Sequence, residues 1–208
     1  MESAEQSTLA ILAGGQGSRM GRPKAQLELD GQPILTYLLN RFAWKGPRYL
    51  ITAPGAEHPP GATEFDLEIA DPPAPCDKPL GPLRGILTAL ENLHTPLLMV
   101  TTVDMPALET VHLSYLLNQL VRLPDLAGLM FTREIEGKRI PEPFPLALRP
   151  GALPVIRDRL ATPRRSVHGL LENPGFATTP ASPSWNVWTN LNTPADFEQY
   201  RSATDEHQ

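Results

Sequence analysis

The stretch Leu12-Ala13-Gly14-Gly15-Gln16-Gly17-Ser18-Arg19-Met20-Gly21-Arg22-Pro23-Lys24 follows directly on the apolar run Thr8-Leu9-Ala10-Ile11. It reads as a buried strand running into a glycine-rich loop. Gly14, Gly15 and Gly17 lack the side chains that would hold backbone N–H groups away from a phosphate. Arg19 supplies a planar fork suited to phosphate oxygens, and Lys24 a compact point charge able to follow a moving phosphoryl group. Glycine backbone first and lysine last make a phosphate cradle, so the loop is expected to hold a nucleoside triphosphate. Two familiar alternatives fail on spacing. A dinucleotide fingerprint G-x-G-x-x-G would need glycine where Met20 stands, and a Walker loop needs G-K-[ST], whereas Lys24 lies between Pro23 and Ala25. A plain strand-to-helix turn remains the competing reading of the glycines alone.

Working outward, strand and helix patterns alternate, which predicts an α/β fold with a mainly parallel sheet. Strands are expected at 8–13, 48–52, 66–70, 97–103 and 127–132, with a further short one at 146–148. Helices are expected from Gln32-Pro33 to Gly46-Pro47, from Gly81-Pro82 through Leu93, and over 109–123, 152–160, 165–171 and 194–200. The run 97–103 is almost continuously apolar, as in a central strand covered on both faces, and it ends at Asp104. Ligands of open α/β sheets sit beyond the carboxyl ends of the strands, so the glycine loop and Asp104 are expected to face one cleft.

The 208 residues suit a single domain spanning 1–208, with a core over about 8–200. A net charge of −5 argues against a nucleic-acid surface, which would need a basic face. The lone Cys76, in a Pro-Cys-Asp-Lys loop, excludes an internal disulfide and is read as a passive thiol. No apolar run approaches the roughly 20 residues that span a bilayer, and the opening Met-Glu-Ser-Ala-Glu-Gln-Ser-Thr lacks a signal peptide's basic and apolar regions. The expectation is a cytoplasmic protein with no membrane partner.

Several residues can carry chemistry. Asp104, fixed by the following Met105-Pro106, can hold Mg²⁺, which takes one or two carboxylates plus phosphate oxygens and keeps several waters. A helix cap or turn role is the alternative. Asn190 and Asn192 would point the same way in an extended segment and could complete a magnesium shell or bind a second substrate. Asn192 also suits a helix start. The helix opening at Gly81 can present N–H groups to an anion, with Arg84 either assisting or solvated. Asp71, between an apolar strand and two prolines, reads locally as a loop carboxylate. Trp185 and Trp188 read as core packing rather than a stacking platform. The histidines show no metal spacing.

The run LAGGQGSRMGRPKAQLELDGQPIL over 12–35 is followed in order by Asp71, Gly81-Pro82-Leu83, Thr102-Val103-Asp104-Met105-Pro106 and Asn190-Leu191-Asn192-Thr193-Pro194. Together these blocks resemble the MobA-like nucleotidyltransferases, and within them the molybdenum cofactor guanylyltransferases. The resemblance implies a three-layer α/β/α sandwich with a mainly parallel mixed sheet, Rossmann-like and of the nucleotide-diphospho-sugar transferase type. It implies transfer of GMP from GTP to molybdopterin or Mo-molybdopterin, release of pyrophosphate, Mg²⁺ as cofactor, and transient contact with molybdoenzymes or cofactor-insertion proteins. By the same resemblance Lys24, Arg19 and Asp104 are catalytic. The nucleotide falls to Leu12, Ala13, Gly14, Gly15, Gly17, Lys24, Asp71, Gly81, Pro82, Leu83 and Asp104, and the metal to Asp104, Asn190 and Asn192. Arg164-Arg165-Ser166 resembles a segment near the second substrate, though a solvated basic pair reads equally well.

Such a transfer needs no catalytic histidine, because a phosphate monoester, with its second pKa near 6, is already largely ionised at neutral pH. Gly15 favours GTP, since the CTP-using cofactor enzymes of the superfamily usually carry Leu-Ala-Ala-Gly. Pro23-Lys24-Ala25-Gln26 echoes the isoprenoid cytidylyltransferases, but their Asp-Ala-Ala-Arg-Pro block is absent. Sugar-phosphate nucleotidyltransferases generally need a longer chain. A non-catalytic nucleotide binder would be expected to have lost Asp104 or Lys24, and both are present. Two departures from the family pattern, Glu142-Pro143-Phe144-Pro145 and Thr101-Thr102, bear on the acceptor pocket.

Overall fold

Strand β1 (Ser7–Leu12) is buried along its whole length, and this fixes the architecture around it. A strand covered on both faces needs parallel neighbours on either side and helices above and below. The computed structural model describes residues 6–15, 20–73 and 80–205. Gly17, Arg19 and Cys76, read above as site or loop residues, lie outside them.

Beyond β1 the strands are β2 (Glu28–Leu29), β3 (Gln32–Pro33), β4 (Arg48–Thr52), β5 (Leu67–Ala70), β6 (Leu97–Thr102), β7 (Gly128–Ile135), β8 (Lys138–Leu148) and β9 (Phe176–Pro180). Seven of them form one sheet in the order β5-β4-β1-β6-β8-β7-β9. Every neighbouring pair is parallel except those made by β8, which runs antiparallel to both β6 and β7. The helices are α1 (Ile34–Phe42), α2 (Pro82–Glu91), α3 (Thr110–Val121), α4 (Ala152–Leu160) and α5 (Pro194–Asp205). Helix α1 packs with α3, and α2 packs with α4. The result is the expected three-layer sandwich with a mostly parallel mixed sheet.

Register positions the site. Leu12 pairs with Ile51 on one side and with Thr102 on the other, and Thr52 pairs with Ala70. The chain therefore leaves β1, β4, β5 and β6 at one sheet edge and at nearly one height. No helix among the described residues is long and apolar enough to cross a membrane.

The differences from expectation are local. The helix opens at Pro33 as expected, Pro33 being its N-cap, but Gln32-Pro33 also forms the second strand of a small antiparallel hairpin with β2. Its two turn residues, Asp30 and Gly31, both have positive φ (51° and 70°), as a type I′ turn requires. Helix α1 ends not at Gly46-Pro47 but at Ala43, which takes a left-handed conformation and donates its N–H to Leu39 O. Residues 165–171 do not form an α-helix. A 3₁₀ turn at His168–Glu172 stands there. Strand β8 is far longer than 146–148 because Glu136 and Gly137 (φ 50° and 73°) make a second tight hairpin turn with β7. Pro143 and Pro145, which have no ladder N–H to give, fall where the register jumps from Met130↔Leu146 to Phe131↔Glu142. Strand β9 carries no alternating pattern and joins the sheet through its pairing with β7.

At Gly128 the sheet is packed too closely for a side chain. A Cβ there would sit 2.4 Å from the Phe176 ring and 2.9 Å from Leu148 Cδ2. Gly128→Ala is expected to destabilise the fold by about 1–3 kcal/mol, the usual cost of overpacking, read from the urea midpoint. An unchanged midpoint would mean that Phe176 simply rotates aside.

Candidate active site

The shared exit edge opens into a cavity of about 480 Å³. Gly14, Gly15, Lys24 and Asp104 line it on the β1 and β6 side, while Asp71, Gly81, Pro82, Arg84 and Gly85 line it toward β5. Asp71 leaves β5 and Asp104 leaves β6, three strand positions apart, or about 14 Å at the usual strand spacing.

The glycine turn is shaped by its neighbour. A Cβ on Gly14 would lie 3.3 Å from Ala53 N, so the turn hugs the loop after β4, whereas Gly15 has nothing within 4 Å and faces open space. Ala13 is held in the ladder, its N–H donated to Ile51 O at 2.8 Å, and its side chain is buried away from the cavity. Lys24 opens a 3₁₀ turn behind Pro23. Its ammonium donates to Asp104 Oδ2 at 2.6 Å and to Asn192 Oδ1 at 2.8 Å. Asp104 Oδ1 accepts the Thr102 hydroxyl at 2.6 Å. The sequence thus brings Lys24 and Asp104 together across 80 residues of chain.

Asn192 reaches the cluster for a reason that its sequence conceals. Helix α5 is capped by Thr193, whose Oγ1 accepts from Asp196 N at 3.2 Å, while Asp196 Oδ2 accepts from Thr193 N and Asn192 N. This reciprocal cap leaves the Asn192 amide free to face Lys24. It also holds the Asp196 carboxyl below the usual range, chiefly through the Thr193 hydrogen bonds. Asn190 behaves differently. Asn192 N donates back to Asn190 O at 3.0 Å, folding a tight turn around the buried Leu191, so the segment is not extended and the two amides do not share a direction by alternation. Asn190 is exposed and is not joined to Lys24 or Asp104 among the described residues.

The Asp104 carboxylate and the Asn192 amide are hard oxygen donors, and the Lys24 ammonium already spans them as a cation. Such a pair suits a divalent ion that keeps several waters, once Lys24 withdraws. Among the described residues no cluster of three or more His, Cys, Asp or Glu exists to hold a metal by protein groups alone.

Toward β5, Gly81 takes φ 68° and ψ −171°, a conformation that favours glycine, and Pro82 follows at the first position of α2. Leu83 is fully buried, so only its backbone is near the cavity. Asp71 accepts the Thr88 hydroxyl on Oδ1 at 2.5 Å, and its N–H is donated to Thr52 O at 2.9 Å. Burial pushes the Asp71 carboxyl above the usual range, against the pull of Thr88 and the nearby Arg84 guanidinium. Arg84 is neither solvated nor aimed at the helix start. It turns back along α2 to Thr88 and Glu91. Thr88 and Gly85 were not singled out from sequence, and Thr102 was marked only within its block and as a departure bearing on the acceptor pocket. The only signal for the first was its i,i+4 spacing from Arg84 on one helix face.

The remaining candidates lie elsewhere. Arg165 donates to Leu160 O and Thr162 O at the end of α4, and Arg164 lines a separate surface cleft. Trp185 packs edge-on against His112, Tyr115 and Phe131. Trp188 meets Phe131 edge-on and lies beneath Arg133, which pairs with Glu142.

Comparison with known proteins agrees with this geometry. A molybdenum cofactor guanylyltransferase, described as probable, from Synechococcus elongatus is 29% identical over 189 residues, covering 90% of this chain and 94% of that one. Among solved structures, molybdopterin-guanine dinucleotide biosynthesis protein A from Archaeoglobus fulgidus superposes with a TM-score of 0.76 at 20% identity, over 96% of this chain and 99% of that one. The fold is shared more widely. 2-C-methyl-D-erythritol 4-phosphate cytidylyltransferase from Thermus thermophilus reaches a TM-score of 0.71 at 14% identity, over 94% of this chain and 98% of that one. The family model of the MobA-like NTP transferase domain matches residues 9–174, taking in the glycine turn, Lys24, Asp71 and Asp104, and the chain belongs to that family.

Proposed function

We propose that this protein is a Mg²⁺-dependent cytoplasmic enzyme that transfers GMP from GTP to the phosphate of molybdopterin, or its molybdenum-bearing form, with release of pyrophosphate. The observation that carries this reading is the single cavity shared by the Gly14-Gly15 turn, Lys24 and Asp104. The names of the full-length relatives support guanine and the pterin phosphate as the two substrates. MobA-like nucleotidyltransferases are generally metal-dependent, and the oxygen donors of Asp104 and Asn192 suit magnesium.

In the reaction an oxygen of the acceptor phosphate attacks the α-phosphorus of GTP. The new P–O bond forms as the bond from that phosphorus to the bridging oxygen of the β-phosphate breaks, and pyrophosphate leaves with the electron pair. No side chain need remove a proton from an ionised monoester. The chain's task is placement and charge neutralisation. Lys24 exchanges Asp104 and Asn192 for phosphate oxygens, the Gly14 and Gly15 N–H groups cradle the phosphates, and Arg19 and Gly17 are assigned to the same phosphates by resemblance alone. Asp104 and Asn192, with Asn190 assigned by resemblance, would hold Mg²⁺, which when bound supplies positive charge to the triphosphate. Asp71 and the α2 start take the nucleoside end. Beyond Val100 strand β8 parts from β6 and continues with β7 alone as an arm beside Asp104, and the acceptor approaches from that side. Molybdoenzymes or cofactor-insertion proteins would receive the product.

Pyrophosphate exchange compared across GTP, CTP, UTP and ATP is expected to be supported by GTP and abolished by EDTA. Exchange with CTP but not GTP would overturn the guanylyl reading. Lys24→Ala and Asp104→Ala are each expected to lower transfer by about two orders of magnitude or more, the scale of lost electrostatic stabilisation. Near-normal turnover in either variant would remove that residue from the mechanism.

Asp71 allows a stability test. Its carboxyl is raised in the fold, so its favourable contribution is present below the unfolded value and lost as pH rises through the folded value. The ionised group therefore costs stability at neutral pH. Asp71→Asn is expected to melt a few degrees higher than the parent at pH 7, with the gap closing on acidification below the ordinary carboxylate range. A lower melting temperature at pH 7 would mean that Thr88 and Arg84 outweigh burial.

A further inference from the structure

We propose that Thr88, clamped by Arg84, is the positioning residue that turns Asp71 into a reader of the base, selecting guanine through its adjacent N–H donors. The inference rests on the guanylyl reading and deepens it. A hydroxyl has one proton to give and two lone pairs. Arg84 donates both Nε and Nη2 to Thr88 Oγ1, at 3.2 and 3.1 Å, and a guanidinium has nothing with which to accept. The Thr88 proton is thereby forced onto Asp71 Oδ1, 2.5 Å away.

Arg84 is itself fixed. It donates to Glu91 Oε2 at 2.8 Å, and Glu91 Oε1 accepts from Arg157 of α4 at 3.1 Å. The relay from the α2–α4 contact to the cavity therefore has one polarity, and every member is held by the next. Thr88 is only 3% exposed, so no water competes for its hydroxyl at the protein surface.

The consequence is an acceptor-only edge in the cavity. Asp71 Oδ2 takes no hydrogen bond from any described residue and lies 3.7 Å from the position a Cβ on Gly85 would fill. Asp71 lies near the glycine turn across the loop after β4 but about 14 Å, on strand spacing, from the β6 end where Lys24 meets Asp104, so phosphates held at Lys24 leave it the nucleoside. A carboxylate is repelled by phosphate and must be met by donors. Among the common bases only guanine places two N–H donors side by side, at N1 and the 2-amino group. Cytosine and adenine set one amino donor beside a ring-nitrogen acceptor, which would face Asp71 unfavourably. Uracil offers one N–H between two carbonyls.

The test is equilibrium binding of GTP, ITP, dGTP and CTP to the whole chain without acceptor, for the parent, Thr88→Val and Thr88→Ser, each with a thermal melt. ITP lacks only the 2-amino donor, and dGTP only the 2′-hydroxyl. The parent is expected to prefer GTP over ITP and CTP while binding dGTP as well as GTP. Thr88→Val is expected to lose about tenfold in GTP affinity, the scale of one hydrogen bond to a charged group, with CTP affinity moving by less than about threefold. Thr88→Ser is expected to restore the preference. Should valine prevent folding, Arg84→Met, which leaves the hydroxyl but frees its rotation, carries the same expectation of lost GTP-over-ITP preference. An undiminished preference in the valine or methionine variant overturns the role of Thr88 while leaving the guanylyl reading intact. Equal binding of GTP and ITP with loss of dGTP would put Asp71 on the ribose and overturn base reading. A parent that prefers CTP overturns both.

Discussion

The parallel, in-register pairing of Leu12 with Ile51 and Thr102 is the constraint on which everything else depends. Parallel neighbours leave the sheet on the same side, so three loops far apart in sequence meet at one edge without any contact designed to bring them there. The buried length of β1 enforces the pairing. A slip of one residue would turn every side chain of that strand to the opposite face. The glycine turn, the loop after β4 and the aspartate after β6 then need only a few residues each to enclose a cavity.

Within that cavity charge is separated by topology. The cation sits where β1 and β6 exit, and a half-buried carboxylate sits where β5 exits, with β4 between β5 and β1. Lys24 is held by two oxygen acceptors, Asp104 Oδ2 and Asn192 Oδ1, rather than left to solvent, so its charge is compensated within the fold. Asp71 shows the opposite arrangement. Its hydrogen-bond partner is fixed by a relay that runs to the far side of α2, so its orientation is set before any ligand arrives.

The alternation of elements, the central position of 97–103 and the exact extents of 48–52 and 152–160 were legible because they rest on periodicity and on flanking Gly and Pro. The hairpins at Asp30-Gly31 and Glu136-Gly137 were missed because their flanking strands are very short in one case and interrupted by prolines in the other. Strand β9 was missed because an edge strand can be held by its ladder with no pattern of its own. Gly14, Gly15, Lys24, Asp71, Gly81, Pro82 and Asp104 were marked in advance, and the structure gathers them. Ala13 and Leu83 belong to the same blocks but face the core. Thr88 escaped notice, and Arg84 was read only as assisting at the helix start or solvated, because a threonine and an arginine four apart on a helix are unremarkable until a carboxylate from another strand lies beside them.

The amino-acid order by itself determined the class of fold, the glycine turn after β1 and the identity of the charged pair, since glycine spacing, a lysine after Pro23 and an aspartate closing an apolar strand are local facts with direct physical meaning. Tertiary structure alone decided how those groups meet. It set Thr193 rather than Asn192 as the cap of α5, because only the folded chain shows which oxygen Asp196 N reaches. It placed Asn192 on Lys24 across 168 residues. It also fixed the direction of the Thr88 proton, since a hydroxyl rotates freely until its neighbours in space leave it one acceptor.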